Sequence, residues 1–293
     1  MIRTALRPTA LRPLSLLTAL ACLGIASGAT QAADAPADAP ESAWTVPVSV
    51  SLVSDYIFRG QSQTWGKPAL QLSVEADHAS GAYVGFAASN VSSHWLPGAT
   101  VETDFFGGFR GKLSEPVGYD VGLIYYAYPG ADWKDSWFDG YNKGNSLNTA
   151  EAYVSISYDW LSFKTGRTLT EYFGWSTNNS PVAGGFNGNS AAGVTGNTRG
   201  SYFYELNASK DVAEGWNLSG QIGRQVIAHA TGLDITYYKV GVTRALPDGW
   251  SAGAFYSASS QPKAYNHFLS LDNGHSESNI ARNKVFVSLS KAF

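Results

Sequence analysis

A stretch of 18 residues near the start of the chain sets the pattern for the fold: Val46-Pro47-Val48-Ser49-Val50-Ser51-Leu52-Val53-Ser54-Asp55-Tyr56-Ile57-Phe58-Arg59-Gly60-Gln61-Ser62-Gln63. One parity is apolar apart from Ser54 and ends in two aromatic rings; it comprises Val46, Val48, Val50, Leu52, Tyr56 and Phe58. The other parity ends in an acid and a base, Asp55 and Arg59. Because successive side chains of a β-strand point to opposite faces, residues 46–58 are predicted to form a strand with one apolar and one polar face.

The same alternation recurs along the rest of the chain. It predicts about twelve strands, at residues 46–58, 69–77, 82–89, 101–113, 117–128, 150–158, 161–175, 202–209, 216–229, 235–244, 250–260 and 284–293. Connections after even-numbered strands are short, and those after odd-numbered strands are long except for residues 230–234. This arrangement is typical of an all-β fold, a transmembrane antiparallel up-and-down β-barrel with short periplasmic turns and long extracellular loops.

In such a barrel the apolar parity faces lipid and the polar parity faces the lumen, because only a closed sheet satisfies every backbone group in hydrocarbon. A secreted soluble β-sandwich or barrel is the alternative, but it gives no reason for loop length to follow strand parity. The longest connection, residues 178–200, is rich in Gly, Asn and Ser. We expect it to be a mobile external loop rather than a constriction folded into the lumen.

The first residues have the features of a targeting segment. Three arginines precede an apolar run at residues 14–26, and small residues follow up to Ala32. We therefore predict a cleaved secretory signal peptide at residues 1–32, since the apolar run is too short to span a membrane as a helix. Residues 33–44 are predicted to be a disordered acidic Ala/Pro lead-in, and residues 45–293 the outer-membrane β-barrel.

The charge and the composition of the mature chain exclude several kinds of function. Removing residues 1–32 takes away three arginines and the only cysteine, leaving 17 Lys+Arg against 23 Asp+Glu, a formal charge of −6. An acidic chain argues against a nucleic-acid partner. The five histidines show no metal-ligand spacing, so neither a metal nor another cofactor is expected. We expect no enzyme activity, because the serines and the histidine of Ser92-Ser93-His94 are adjacent in sequence and rarely form catalytic geometry.

The polar parity gives the candidate lumen residues. Asp55 and Arg59 would project into the lumen near its outer end. The full set of lumen or selectivity candidates is Asp55, Arg59, Gln61, Gln63, Gln71, Glu75, Glu102, Asp104, Arg110, Lys112, Glu151 and Glu205. Charged side chains that line a pore set its ion preference. A second interpretation stays open, in which Asp55 and Arg59 pair with neighbouring strands and plug the lumen, because a barrel of about twelve strands is intermediate between filled and open barrels.

Two motifs carry resemblances to known proteins. The chain ends in Phe293, with Val285, Val287 and Leu289 on the same parity, which resembles the terminal strand by which outer-membrane barrels are recognised for assembly. The string from Ser54 to Gln63, followed by Pro68-Ala69-Leu70-Gln71, resembles the opening of the TorF-family porins of proteobacteria, also called the Gcw_chp family. That resemblance covers essentially the whole mature chain. It implies a barrel fold, an outer-membrane location and a transport role without a defined substrate.

The sequence therefore predicts a porin of the bacterial outer membrane that allows small hydrophilic solutes or ions to diffuse through a polar lumen. The alternatives are an outer-membrane barrel enzyme acting on lipids and a closed barrel with an adhesive or structural role. The expected partners are outer-membrane lipids, the barrel assembly machinery and small polar solutes or ions. The oligomeric state is left open.

Overall fold

The computed structural model describes residues 43–137, 145–179 and 192–293. The predicted signal peptide and residues 33–42 of the predicted lead-in lie outside the described residues. Within the described part, Trp44 pairs with His78 and Thr45 with Asp77, so strand pairing includes Trp44, one residue before the predicted barrel boundary. No helix in the described ranges is long and apolar enough to cross a membrane.

In the described parts of the chain, twelve strands of 6 to 14 residues form one antiparallel sheet. They are β1 Val48–Val53, β2 Ala69–His78, β3 Ala82–Asn90, β4 Val101–Ser114, β5 Val117–Ala127, β6 Thr149–Tyr158, β7 Leu161–Thr168, β8 Tyr202–Ala213, β9 Trp216–Val226, β10 Ile235–Ala245, β11 Trp250–Ser259 and β12 Lys284–Ala292. Each strand pairs with the next along the chain, which confirms the predicted up-and-down topology.

The last strand closes the sheet on the first. β12 pairs antiparallel with β1, with Leu289 directly opposite Leu52 and Ser290 opposite Ser51. Every long strand therefore has a partner on both sides, which removes the sheet edges that an open β-sheet would expose. The predicted closed barrel of about twelve strands is confirmed.

Side chains alternate between the outer and inner faces as the sequence pattern predicts. Leu70 is 61% exposed on the outer face of β2, whereas the next residue, Gln71, is 1% exposed on the inner face. The outer face is almost wholly apolar; its large side chains that are more than a third exposed include Leu52, Leu70, Leu72, Val84, Phe105, Phe109, Val121, Leu123, Tyr125, Val154, Ile156, Phe163, Tyr204, Leu206, Leu218, Ile222, Tyr238, Val240, Tyr256, Val285, Val287 and Leu289.

On the inner face, glycines make room for aromatic rings of the neighbouring strand. A Cβ atom on Gly85 would lie 2.2 Å from the ring of Phe106, its cross-strand partner. The same arrangement joins further cross-strand pairs: Gly122 with Tyr153, Gly166 with Phe203, Gly223 with Tyr237, and Gly241 with Phe255. These glycines let bulky rings lie flat against the barrel wall, a known way of stabilising glycine in sheets.

Tryptophans near the short turns pair with cations. Lys210 lies 5.7 Å from the ring centre of Trp160, and Arg244 lies 5.2 Å from that of Trp216. Lys291 lies 5.9 Å from the ring of Trp250 and donates a hydrogen bond to a turn carbonyl, that of Asp248. These lysine and arginine side chains are arranged as snorkelling side chains are, with an apolar stem and a charged end that points to the turn.

Two predicted strands end earlier than the sequence pattern indicates. β1 ends at Val53 rather than at residue 58, and β7 ends at Thr168 rather than at residue 175. The prediction that Tyr56 and Phe58 face lipid is therefore wrong, because they are 2% and 5% exposed and pack inside the barrel. The physical reason is that the chain bends away from the wall at Ser54 and Asp55, so both rings lie on a hairpin inside the lumen whose tip is at Arg59 and Gly60.

The connections at the outer end pack into an aromatic cap. Trp95 contacts the rings of Trp175 and Phe268, with ring centres 6.1 and 4.9 Å apart, and Trp133 also packs on Trp175 at 6.2 Å. The short elements here are 3-10 turns at Trp133–Asp135 and Tyr172–Gly174, the helix Lys263–Asn266, and the paired strands Gly193–Val194 with Ala230–Thr231 and Phe268–Leu269 with Glu277–Ser278.

The predicted mobile loop at residues 178–200 departs from expectation at its described ends. Asn179, Val194 and Thr198 are buried. Val194 pairs with Ala230, and the Thr198 hydroxyl donates a 2.5 Å hydrogen bond to the Trp175 carbonyl. Both ends therefore pack into the cap, and the rest of the prediction falls on residues 180–191, outside the described part.

Candidate functional site

A two-stranded hairpin crosses the outer end of the lumen. This segment, the lumen hairpin, comprises residues 55–64, and its strands Ile57–Phe58 and Gln61–Ser62 pair around a two-residue turn. Both turn residues have positive φ, 44° at Arg59 and 79° at Gly60, the backbone that two-residue hairpins favour. At Gly60 the chain also needs a residue without a side chain, because a Cβ atom there would lie 2.7 Å from the Cβ of Tyr237 on β10.

The tip of the lumen hairpin is attached to the far wall by Arg59. Its two terminal nitrogens donate to the two carboxylate oxygens of Glu151 on β6 at 3.0 and 2.8 Å, and Nη1 also donates to Gln225 on β9 at 2.6 Å. The guanidinium lies 3.7 Å from the ring centre of Phe203 on β8. Burial alone would lower the pKa of Arg59, but the Glu151 carboxylate raises it well above its usual value. Arg59 is therefore a permanently charged anchor in a bidentate pair.

The base of the lumen hairpin is held by Asp55. One carboxylate oxygen accepts hydrogen bonds from the hydroxyls of Ser62 and Thr64, at 2.6 and 2.9 Å, which tie the two arms of the hairpin together. The other oxygen accepts from Lys284 on β12 at 2.5 Å. Asp55 thus joins the hairpin to the wall on the side opposite Arg59.

A third contact is made by Tyr56 on the side of β4. Its hydroxyl donates to Glu102 at 2.6 Å, and the second oxygen of Glu102 accepts from the Tyr128 hydroxyl. Burial raises the pKa of Tyr128, so its phenol remains a proton donor at neutral pH. Burial also raises the pKa of two other cap tyrosines, Tyr172 and Tyr265.

The predicted glutamines divide into satisfied and unsatisfied groups. Gln63 accepts a 2.8 Å hydrogen bond from the indole N–H of Trp95, which attaches the lumen hairpin to the aromatic cap. Three buried oxygens, Oε1 of Gln61, Oε1 of Gln71 and Oδ1 of Asp104, have no hydrogen-bond partner among the described residues. Polar atoms without protein partners are places where water or a polar solute gains most by binding.

Below the lumen hairpin, the wall nearest the periplasm carries a mixed-charge network. Arg110 pairs with Glu75 at 2.5 Å and with Asp77 at 3.1 Å, and its guanidinium lies 3.9 Å from the ring centre of Tyr83. The Tyr83 hydroxyl in turn donates to Asp120 at 2.6 Å. The network continues to β6 and β7, where Tyr83 and Tyr153 share a 2.5 Å hydrogen bond and Lys164 lies over the Tyr153 ring.

The opposite wall has a second polar cluster centred on Glu205. One of its oxygens accepts from the Tyr237 hydroxyl at 2.9 Å and from the Gln221 amide at 3.3 Å. The other oxygen accepts from Asn207 at 3.2 Å. The lumen is therefore lined by both signs of charge, because Arg110 and Lys164 lie on the first wall together with acids, whereas Glu205 is the one charged residue of the second cluster.

The structure brings most predicted lumen residues onto the inner face, but in two groups. Asp55, Arg59, Gln61, Gln63, Glu102 and Glu151 belong to the lumen hairpin and its attachments. Glu75, Arg110 and Glu205 line the inner half. Lys112 was predicted to face the lumen. It lies instead at the periplasmic rim, where its side chain is nearly half exposed and forms an ion pair with Glu115 of the adjacent turn. It follows the lumen parity, but its strand extends past the wall there.

Sequence reasoning did not identify several residues of the site. The partners Lys284 and Gln225, the rings of Tyr83 and Tyr153, and Lys164 were not among its selected candidates. The local signal for the hairpin was weak: Gly60 readily adopts the positive φ that a two-residue turn needs, but Arg59 is not one of the residues, Asn, Asp or Gly, that usually precede glycine in such a turn.

A serine–histidine–aspartate group lies in the cap. His94 Nδ1 is 2.8 Å from the Ser270 hydroxyl and 3.9 Å from an Asp272 carboxylate oxygen. A catalytic triad needs the serine and the acid on different ring nitrogens. Here both approach the same nitrogen, and Ser270 is fully buried. The group is therefore arranged as a structural cluster. Among the described residues, no three His, Cys, Asp or Glu are grouped to bind a metal ion.

Comparisons with known proteins match one family model and several solved structures. A family model described as "Bacterial protein of unknown function (Gcw_chp)" matches residues 37–293. No curated protein matches the sequence. Among solved structures, a KdgM porin is 8% identical with a TM-score of 0.47, over 84% of this chain and 99% of that chain.

Two further solved structures are similar in the same way. A NanC porin is 7% identical with a TM-score of 0.47, over 84% of this chain and 98% of that chain. The COG4313 outer membrane channel from Pseudomonas putida F1 is 11% identical with a TM-score of 0.43, over 89% of this chain and all of that one.

Proposed function

The chain belongs to the Gcw_chp family of bacterial proteins of unknown function, and from that premise we propose that it is an outer-membrane channel for small polar solutes or ions, closed at its outer end by the lumen hairpin. We also propose that the protein is a TorF-family porin of proteobacteria, because its opening stretch resembles theirs. The protein needs no enzyme activity or cofactor for this role.

The outer-membrane location is supported by the surface of the barrel. Its outer face presents a continuous set of exposed aliphatic and aromatic side chains, such as Leu70, Val84 and Phe105. Exposing that surface to water would cost about 25 cal/mol of free energy per Å² of apolar area. Closed antiparallel barrels with an apolar belt and aromatic ends are the bacterial outer-membrane design, and the predicted signal peptide provides the export route.

The observation that carries the channel proposal is how the lumen hairpin is attached. Three of its contacts with the wall are polar, Arg59 with Glu151, Asp55 with Lys284 and Tyr56 with Glu102. One is apolar, the ring of Phe58 against that of Tyr126 on β5, with ring centres 5.8 Å apart. A buried ion pair contributes little net stability, because desolvation offsets most of the attraction, and water or ions can replace it. A plug with an apolar interface would lose much more on release. The hairpin is thus suited to move aside and expose the polar inner half.

The closed structural barrel remains a second candidate, because the aromatic cap favours it. Trp95, Trp175 and Phe268 pack edge to face, and Trp95 also holds Gln63 of the lumen hairpin. A cap built this way stabilises the closed arrangement. The two candidates differ in whether the lumen ever conducts.

Single-channel recording in planar bilayers separates these candidates. The mature chain is compared with a variant in which residues 54–68 are replaced by a two-residue Asn-Gly turn; Val53 and Ala69 are direct cross-strand partners, so such a turn can join them. We expect brief, infrequent openings of the unmodified protein and sustained conductance of the variant. Heat-modifiable migration on gels serves as the folding control for both proteins. A folded variant that never conducts contradicts the channel and leaves the structural barrel.

The remaining partners belong to the same proposal. Phe293 is exposed, and its N–H donates to the Val48 carbonyl at 3.0 Å, so the chain end lies beside the strand closure. We propose that the assembly machinery recognises this terminal strand and that outer-membrane lipids surround the belt. Small polar solutes or ions are the proposed cargo.

A further inference from the structure

A basic depression lies at the outer end of the lipid-facing wall. It has a volume of about 520 Å³ and is lined in part by Arg167, Leu169, Arg199, Gly200 and His229. Arg167 is the penultimate residue of β7 and belongs to the outward parity, opposite Ala152 and Tyr202 of the neighbouring strands. Tyr202 is 43% exposed, so the depression sits where the apolar belt ends.

Arg167 is oriented by the backbone beside it. Its Nε donates to the Gly200 carbonyl at 3.2 Å. A Cβ atom on Gly200 would lie 2.8 Å from the Nη2 atom of Arg167, so only a glycine lets the guanidinium lie this close to the chain. Neither terminal nitrogen of Arg167 has a protein hydrogen-bond acceptor among the described residues. The planar edge that recognises two oxygens at once is therefore presented to the depression.

Arg199 and His229 complete the basic lining. Both side chains are exposed. His229 is held by Asn197, whose carbonyl oxygen lies 2.6 Å from its Nδ1. Two guanidinium groups and an imidazole around one depression form a surface that attracts an anion.

Acidic groups near the depression are already occupied. Glu171 accepts hydrogen bonds from Asn145 and Asn197 through its two oxygens. Asp234 pairs with Arg224 at 3.1 Å. The described residues that line the depression include no acid, and the sequence of residues 180–191 contains none. The two positive charges of Arg167 and Arg199 therefore exceed the one acidic charge nearby that no cation pairs with, that of Glu171.

We propose that this depression binds the phosphate group of a phosphorylated lipid in the outer leaflet. The proposal rests on the outer-membrane location proposed above, but it does not depend on conduction. Phosphate is the oxyanion that arginine pairs bind best, through parallel N–H···O hydrogen bonds. A lipid source, rather than a soluble one, is assigned because the depression adjoins the apolar belt, where Leu169 and Tyr202 offer contact to acyl chains.

Binding of diphosphorylated lipid A to the refolded mature chain in zwitterionic detergent micelles tests the assignment, with native mass spectrometry as the readout. We expect R167Q/R199Q to weaken binding about 25-fold, since each basic residue at an anionic lipid surface contributes about 1 kcal/mol, or about fivefold. The matched control is Arg224→Gln, which removes a cation on the same outward face that Asp234 already neutralises. We expect that variant to bind like the unmodified protein.

Two further arms identify the source of the phosphate. Lipid A stripped of its phosphates should bind at least tenfold more weakly, and inorganic phosphate should not compete at millimolar concentration. Equal binding by R167Q/R199Q and the unmodified protein overturns the proposal. Effective competition by inorganic phosphate overturns the lipid assignment. Heat-modifiable migration on gels verifies that each variant is folded. Absence of conductance in a separate recording would contradict the channel proposal but would leave the lipid-binding result unaffected.

Discussion

Charged residues of the lumen hairpin illustrate how position decides the role of a side chain. Arg59 and Asp55 could, from sequence, be either free selectivity groups or paired plug groups. The structure pairs both, Arg59 with Glu151 and Asp55 with Lys284. Their side chains are almost fully buried. Neither is presented to a passing ion while the hairpin is docked, so any effect of these residues on conduction acts through docking.

Replacing Arg59 should therefore open the channel. In Arg59→Met the Glu151 carboxylate remains buried without its partner, which costs on the order of 3–5 kcal/mol for a broken buried pair. Because the hairpin can avoid that cost by leaving the lumen, we expect a large rise in open probability in planar bilayers. A shift in ion selectivity without a change in open probability would instead assign Arg59 to the conducting pore.

The matched control is the double variant Arg59→Met/Glu151→Met. It replaces the pair by apolar groups of similar length, which is often neutral for stability. We expect its open probability to return toward that of the unmodified protein. If the double variant opens as often as the single one, the unpaired Glu151 carboxylate is not the cause of opening.

At the scale of the element, the lumen hairpin depends on one close backbone approach. Gly60 has φ of 79°, and a Cβ atom there would lie 2.7 Å from the Cβ of Tyr237. Gly130 has the same φ, but a Cβ atom there would meet no other atom within 4 Å among the described residues. The two glycines therefore separate the cost of backbone strain from the cost of a collision with the wall.

Gly60→Ala should displace the lumen hairpin, whereas Gly130→Ala should not. Both variants incur backbone strain of about 1–2 kcal/mol from the left-handed conformation, but only the first also forces the tip away from β10. Trypsin cleavage after Arg59, quantified by mass spectrometry, measures the displacement, because Arg59 is buried when docked. Equal protection of both variants would show that the tip tolerates a side chain.

At the scale of the whole molecule, barrel closure rests on the pairing of β12 with β1. Leu52 and Leu289 are direct cross-strand partners on the outer face. Residues 33–293 contain no cysteine, so a variant of this part of the chain would carry only the thiols introduced into it. Directly opposed residues of an antiparallel pair have Cα atoms about 4.5–5.5 Å apart, within the range of a disulfide.

The double variant Leu52→Cys/Leu289→Cys should form an intramolecular disulfide on mild oxidation of the folded protein. Gel migration after heating, with and without reductant, detects the closed ring. The control is Leu52→Cys/Val285→Cys, whose second position lies four residues along β12 and should not cross-link. Efficient cross-linking of the control pair, or none of the direct pair, would contradict the register.

The sequence by itself determined the barrel. A period of two is a local property, and it placed most of the twelve strands within a few residues of their observed bounds. The alternation of short and long connections then gave the up-and-down order. Gln71 and Leu70 could be assigned to inner and outer faces because neighbouring residues in a strand must point apart.

Only the tertiary structure decided that the second half of the opening stretch turns inward. Tyr56 and Phe58 keep the apolar parity of β1, yet they lie inside the barrel. Their placement depends on Arg59 meeting Glu151, 92 residues away, and Gln225, 166 residues away. Local alternation contains no information about such distant partners, because they become neighbours only when the sheet closes and its far wall faces the hairpin.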